Sequence, residues 1–328
     1  MKRALRVGIV GCGLIGRKRA KALGAHRLTA VSDTNAARAK ELADDYPGST
    51  VFEDWRRLVK CVEVDCVVVA TTHDSLAAVT LAAVKAGKHV LVEKPAARAP
   101  RELVPVIAAA KRAGVIVQVG FNHRFHPALR KARELLDAGG LGDLLYVRGR
   151  YGHGGRPGYD KEWRANPKIS GGGELLDQGA HLIDLSRWFL GDFTRVEGWV
   201  HTYFWDMPVE DNGFALLRTK AGQAAWLHAS WTEWKNTFSF EIYTKRAKLE
   251  ISGLGGSYGV ETLTFHKMKP ELGPPDTKVW EFPGEDESWK LEFEAFARAT
   301  STGKLAGAGL ADAQAVLDVV RKIYGGKR

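Results

Sequence analysis

Gly11-Cys12-Gly13-Leu14-Ile15-Gly16 is a G-x-G-x-x-G run that directly follows a short β-rich stretch, Arg6–Val10, and opens a helical one, Ile15–Leu23. With 36 glycines in 328 residues, the bare pattern arises readily by chance. Between a strand and a helix, however, each glycine has a physical reason. Gly11 makes the tight turn, Gly13 lets the backbone approach a pyrophosphate, and Gly16 allows close helix–strand packing. The helix N-terminus then faces an anion, with Leu14 and Ile15 beside it. Asp33 ends the next strand-like stretch, Leu28–Ser32, at 22 residues after Gly11. A carboxylate there binds the adenosine ribose hydroxyls and repels a 2′-phosphate, so NAD is expected in preference to NADP. Thr34 and Asn35 follow it directly, and the nearest compensating cation is Arg38.

The surrounding pattern agrees with a dinucleotide-binding unit. Over the first 120 residues, strand-like runs (Val64–Ala70, His89–Val92, Val115–Val119) alternate with helical ones (Asn35–Asp45, Leu76–Ala86, Arg101–Ala113). Val64–Ala70 is nearly unbroken in apolar character, as a strand buried on both faces of a parallel sheet requires. The expectation is an α/β, doubly wound parallel sheet of Rossmann type over residues 1–122. From 123 to 328 the pattern changes. A helix at Pro127–Ala138, a strand at Leu144–Tyr151 and a Gly/Pro-rich loop over Gly152–Gly173 precede a helix from Glu174 to Leu190. Strand-like runs then succeed one another without helices until Ser288–Thr300 and Ala311–Tyr324. That succession predicts an α+β domain with a large, mostly antiparallel sheet, expected to bind substrate and to associate with other subunits.

Charge is the unusual compositional number. The chain carries a net +10, and residues 1–122 hold 20 Lys and Arg against 11 Asp and Glu, with near balance beyond. Seven basic residues fall within the first 21 positions. Arg17, Lys18, Arg19 and Lys21 have no interleaved aromatics and no nucleic-acid motif accompanies them, so a solvated helix face attracting dinucleotide phosphates is expected. No run of 18 apolar residues is present, so no membrane partner is expected. The start imitates a lipoprotein leader, with Lys2 and Arg3 ahead of Ile9-Val10-Gly11-Cys12, but Arg6 and Gly8 interrupt its apolar core. Cys12, Cys61 and Cys66 form no pairwise framework. A cytoplasmic location without disulfide or structural metal is expected.

Two further motifs carry chemistry. Glu93-Lys94-Pro95 ends a predicted strand, where doubly wound folds place their ligands; an ammonium at Lys94 can donate to a substrate oxygen and stabilise its negative charge. Downstream, Asp177 and His181 stand four apart on a predicted helix and so share a face. A His beside a carboxylate suits proton transfer to or from a hydroxyl, whereas no third ligand stands at a metal-site spacing.

The order G-x-G-x-x-G, Glu93-Lys94-Pro95, Gly120-Phe121-Asn122-His123-Arg124-Phe125-His126-Pro127 and Asp177-x-x-x-His181 resembles the glucose–fructose oxidoreductase/inositol 2-dehydrogenase (Gfo/Idh/MocA) family, over nearly the whole chain. The resemblance implies an NAD(P)-dependent dehydrogenase acting on a secondary alcohol of a sugar, cyclitol or nucleotide sugar. It puts the family's lysine at Lys94 and its acid and histidine at Asp177 and His181, with Glu93 and Thr71 on the cofactor side and Arg124 on the substrate side. It further implies a homodimer or homotetramer formed through the large sheet, for which Trp226, Trp231 and Trp234 are the local support. One departure is visible: many members carry Thr-Pro-Asn-x-x-His after the fourth strand, and here Thr71-Thr72-His73-Asp74-Ser75-Leu76 has neither that proline nor that histidine.

For substrate, the loop Tyr151–Arg164 supplies Tyr159, Trp163 and Arg164, suited to stacking on and hydrogen bonding a polyhydroxylated ring. Arg156, Lys161 and Arg164 also suit a phosphate or carboxylate. Two other classes remain open from sequence: a family member using bound NAD for a redox-neutral or hydrolytic sugar reaction, and a dinucleotide-binding sensor without turnover.

Overall fold

The computed structural model describes residues 4–271 and 273–325; Lys2 and Arg3 of the leader-like start lie outside them. The chain divides into two compact units. One holds the residues up to Phe121 with Lys168–Gly171 and Trp289–Gln314; the other holds Asn122–Pro167, Gly172–Ser288 and the residues from Ala315 onward.

The first unit is a six-stranded parallel sheet of β1 (Arg6–Val10), β2 (Arg27–Ser32), β3 (Thr50–Val51), β4 (Cys66–Val69), β5 (His89–Glu93) and β6 (Val117–Gly120), in the order β3-β2-β1-β4-β5-β6. Helices α1 (Leu14–Lys21), α2 (Ala36–Asp44), α3 (Trp55–Leu58), α4 (His73–Lys85) and α5 (Pro100–Ala113) connect them. Every residue of β4 is buried, which its uninterrupted Cys-Val-Val-Val run requires. β3 and α3 are two and four residues long and leave no periodicity to read in the sequence. The return of the chain at Trp289–Gln314 has a packing reason. Phe293 and Phe296 are wholly buried in the cluster containing Val7, Ile9, Leu28 and Leu91, and the Val119 N–H donates to Ala308 O at 2.8 Å beside edge strand β6.

The second unit begins with α6 (Pro127–Asp137) and carries an eight-stranded sheet. Its strands are β7 (Leu144–Gly152), β8 (Phe193–His201), β9 (Asn212–Thr219), β10 (Ala224–Ser230), β11 (Thr237–Thr244), β12 (Ala247–Ser252), β13 (Glu261–Lys267) and β14 (Asp276–Phe282). The order is β14-β13-β12-β11-β7-β10-β9-β8, with every pairing antiparallel except β7 with β10. β11 alternates strictly between half-buried and buried residues, so one face of the sheet is the core face. Against that face lie α8 (Glu174–Asp177) and α9 (Gly179–Leu190), preceded by α7 (Pro167–Ser170). Gly149 lets α9 come close, since a Cβ there would meet Leu182 Cδ2 at 3.0 Å. The opposite face shows Tyr146, Trp199, Leu216 and Trp226 to solvent. Trp231 is not among them: it is fully buried with Tyr159, Met207 and Val209, so its indole stabilises the core and leaves Trp226 and Trp234 as the exposed pair. Two helices, α10 (Ser288–Thr302) and α11 (Leu310–Ile323), close the fold. Among the described residues no helix is long and apolar enough to cross a membrane, and no cluster of His, Cys, Asp and Glu has the makings of a metal site.

Candidate functional site

In the first unit the predicted cofactor residues gather at the carboxyl edge of the parallel sheet. Gly11 follows β1, Asp33 follows β2, Thr71 lies just beyond β4 and Glu93 ends β5. β1 lies between β2 and β4, so the sheet order reverses there, the position where doubly wound folds bind ligands. Gly11 has φ +97°, and a Cβ on it would sit 2.4 Å from Ala70 O. A Cβ on Gly16 would lie 1.9 Å from Gly11 O, so both glycines are required by the protein itself. Gly13 differs: a Cβ there meets nothing within 4 Å. It caps α1 without a side-chain hydrogen bond, no acid lies in the helix's first turn, and Leu14 beside it is 74% exposed. An open cradle at an uncapped helix N-terminus is what a pyrophosphate needs, so these residues fit a dinucleotide. The Asp33 carboxylate is held by the Cys12 N–H at 2.6 Å and the Asn35 N–H at 2.8 Å. Burial, and then Asp33 itself, push the Cys12 thiol up to about 12, which keeps it neutral beneath the cradle.

Two details depart from expectation. Arg17, Lys18 and Lys21 do face outward or half outward, but Arg19 is fully buried. Its Nε donates to Glu93 Oε1 at 2.6 Å and its Nη1 to Glu292 Oε2 at 2.6 Å, because the third residue after Gly16 points inward on this helix. Glu93 therefore meets an internal cation. The departing loop is also explained: His73 starts α4 buried, its Nδ1 2.9 Å from Ser170 O, and Leu76 is a core residue of that helix. Lys94 follows β5, is half-buried, and is joined to Pro95 by a cis peptide bond.

In the second unit Asp177 and His181 are both buried. The helix expected over 174–190 is two helices that change over at Gln178, where the His181 N–H bonds to Gln178 O at 3.0 Å in a tightened turn. Asp177 is held from the substrate loop: Arg164 Nε donates to its Oδ2 at 2.9 Å, and Trp163 lies under the guanidinium at 4.5 Å. Burial opposes the Arg164 charge, but Asp177 and Tyr159 raise its pKa, so the guanidinium stays charged. The His181 ring is stacked on His123, with centroids 3.7 Å apart and planes 21° from parallel. His123 Nδ1 lies 3.2 Å from Asn122 Oδ1, and Asn122 Nδ2 donates to Ser288 Oγ at 2.8 Å. Tyr151 completes the wall, edge-on to His181 at 6.2 Å; burial and then Tyr258 push its hydroxyl well above the ordinary tyrosine value. The outcome is a buried imidazole stacked on a second ring, and, four residues earlier, a buried carboxylate that an arginine anchors.

Two residues expected to contact substrate have partners within the protein. Arg124 makes a two-pronged pair with Asp184, at 2.8 and 2.6 Å. Tyr159 is a core residue packed edge-on against Trp231 at 5.0 Å. His123 and Tyr151 were missed as wall residues, although the Asn122–His126 run directly after β6 already marked the position.

Comparison with known proteins follows the same division. Residues 5–121 match the model of an oxidoreductase family with an NAD-binding Rossmann fold, and residues 129–250 match the GFO/IDH/MocA C-terminal domain. Levoglucosan dehydrogenase of Pseudarthrobacter phenanthrenivorans is 29% identical over 231 residues, 66% of this chain and 59% of that protein. The matched stretch thus spans less than two thirds of that relative. The dTDP-3,4-didehydro-2,6-dideoxy-alpha-D-glucose 3-reductase of Actinomadura kijaniata is 32% identical over 68% of this chain and 67% of its own. A solved levoglucosan dehydrogenase, in complex with NADH, superposes with a TM-score of 0.89 at 22% identity, covering 99% of this chain and 98% of that one. On these matches, the chain belongs to the GFO/IDH/MocA family of oxidoreductases and has its NAD-binding Rossmann fold.

Proposed function

We propose that the protein is an NAD-dependent dehydrogenase that oxidises a secondary alcohol of a sugar, cyclitol or nucleotide sugar, or reduces the matching ketone. The observation that carries this reading is the buried His181, its ring stacked on His123, four residues after a buried Asp177 that Arg164 anchors. The curated relatives are named as dehydrogenases and reductases of such molecules.

Gly11, Gly13, Leu14, Ile15 and Gly16 would hold the dinucleotide phosphates and Asp33 its ribose, with Thr71 and Glu93 bordering the same sheet edge. When bound, the nicotinamide supplies the acceptor for the hydride that leaves the substrate carbon. In the oxidative direction His181 takes the hydroxyl proton, Asp177 offsets the charge that the imidazole gains, and Lys94 donates to the substrate oxygen. Trp163 and Arg164 supply the flat and hydrogen-bonding contacts that a sugar ring uses. Asp33 disfavours NADP by charge. The exposed sheet face with Tyr146, Trp199, Leu216 and Trp226 supports homo-oligomer formation.

The test is a scan of NAD and NADP reduction at 340 nm across levoglucosan, myo-inositol, D-xylose, alkyl glucosides and nucleotide sugars. Turnover with at least one of these, faster with NAD, is expected. NADH binding with no reduction by any of them, or sugar conversion without net cofactor reduction, would contradict the proposal.

A further inference from the structure

The buried cluster around Arg19 belongs to no step of that reaction, and its geometry asks for a reason. Arg19 is fully buried, with Glu93 at 2.6 Å, Glu292 at 2.6 Å and the Trp289 ring 4.5 Å from its guanidinium carbon. Room for it exists because β6 ends in Gly120: a Cβ there would lie 2.5 Å from Arg19 Nη2 and 3.2 Å from both Glu93 oxygens. A buried ionic cluster is a poor source of stability, since apolar side chains of equal volume usually serve as well or better. What such a cluster does supply is fixed geometry, because a guanidinium fork satisfies two carboxylates in only one arrangement.

The elements it joins are informative. Arg19 lies on α1, whose N-terminus is the dinucleotide cradle. Glu93 is the last residue of β5 and the immediate neighbour of Lys94. The Glu93 carbonyl accepts the Ala96 N–H at 2.9 Å, and Ala96 holds a left-handed φ of +69°, so the turn that carries Lys94 is fixed by its backbone and by the Glu93 side chain together. Glu292 on α10 grips the guanidinium from the opposite side.

We propose that Arg19 is a positioning residue: clamped by Glu292 and acting through Glu93, it sets Lys94 relative to the N-terminus of α1. This rests on the reading of Lys94 as a catalytic group.

The experiment is a double-mutant cycle with a second, substrate-free readout. Arg19→Lys keeps the charge but loses the planar fork. With levoglucosan, or the best-used member of the panel above, it is expected to lower kcat about 10- to 100-fold while the Kd for NADH moves less than about threefold. In a Lys94→Ala background the same change should alter kcat less than about twofold, since a group acting only through Lys94 has nothing left to position. Equal falls in both backgrounds would overturn the proposal and mark Arg19 as merely structural. Glu292→Gln, which preserves shape, is the second variant should Arg19→Lys not fold; a several-fold fall confined to the Lys94 background is expected, and no fall or equal falls overturn the proposal. Independently of any substrate, acetic anhydride labelling read by peptide mass spectrometry should modify Lys94 several-fold faster in either variant, with exposed Lys111 unchanged. An unchanged Lys94 rate overturns the proposal. Near wild-type turnover in the Lys94→Ala single variant would instead defeat the catalytic reading itself, and is told apart because it appears without any change at Arg19.

Discussion

Gly13→Ala separates what the glycine-rich loop does for the protein from what it does for a ligand. Gly13 has φ −71° and ψ −163°, an extended conformation that alanine adopts freely, and the added methyl meets no protein atom within 4 Å. Two small effects on folding oppose each other. Alanine is a poorer N-cap than glycine, while its smaller unfolded-state freedom stabilises by about 0.4–1 kcal/mol. The net change should stay below about 1 kcal/mol, a shift in Tm of no more than about 2–4 °C for a domain of this size. Dinucleotide affinity should behave differently. If phosphate oxygens approach the backbone at Gly13, the methyl keeps them from at least one N–H, and a hydrogen bond to a charged group contributes about 1.5–3 kcal/mol. The Kd for NADH should therefore rise about 10- to 150-fold. Titration calorimetry gives the affinity and a thermal melt the stability. An unchanged Kd in a folded Gly13→Ala protein would refute the placement of the pyrophosphate. Gly16→Ala is the contrasting control, because its Cβ would lie 1.9 Å from Gly11 O and the fold itself must give way.

Three other outcomes follow from the structure. Lys94→Ala and His181→Ala should each lower kcat by about 10²- to 10⁴-fold with NADH affinity retained, and near wild-type turnover in either would remove that residue from the mechanism. His26, His89 and His153 each accept a backbone N–H at Nδ1, from Leu5, Ile116 and Gly155, and burial lowers the pKa of all three. A histidine whose folded pKa is depressed contributes stability that is fully present above the unfolded value near 6.5 and is lost as the pH falls through it toward the folded one. Melts should thus show a declining Tm between about pH 7.5 and 5.5; a flat or rising Tm over that window contradicts this sign. Light scattering at micromolar protein should report an oligomer, with Trp226→Glu shifting it toward monomer, and a monomeric wild-type chain would refute the role given to the exposed sheet face.

How much of this was legible in the sequence depended on the range of the interaction. β1, β2 and β5 were readable because each is a short run closed by glycine, acid or proline, and β4 because it is unbroken in apolar character; the same runs placed Gly11, Asp33 and Lys94 at one edge of the sheet. The late strands were readable as strand-like runs that succeed one another without helices, but the parallel pairing of β7 with β10 could not be seen from that succession. Elements as short as β3 and α3 carry no periodicity. Side-chain partners far apart in sequence were the real blind spot. Arg19 sat in a basic run that reads as a solvated face, and only packing shows that it meets Glu93 and Glu292. Likewise the spacing of Asp177 and His181 implied a shared helical face, but gave no sign that Arg164 would reach the acid or that His123 would stack on the imidazole. Trp231 had the same composition signal as Trp226, yet one is core and the other surface, because Trp226 stands on the open face of β10 while Trp231, just past the end of that strand, packs with Tyr159, Met207 and Val209.

The central claim, direct oxidation of a substrate C–H by the bound nicotinamide, is tested most directly with the best panel substrate deuterated at the reacting carbon. Mass and NMR analysis of the reduced cofactor should find the deuterium at C4 of the nicotinamide, on one face only, with none exchanged into water. Reduced cofactor without the label, label released to solvent, or converted sugar with no net reduced cofactor would contradict the account.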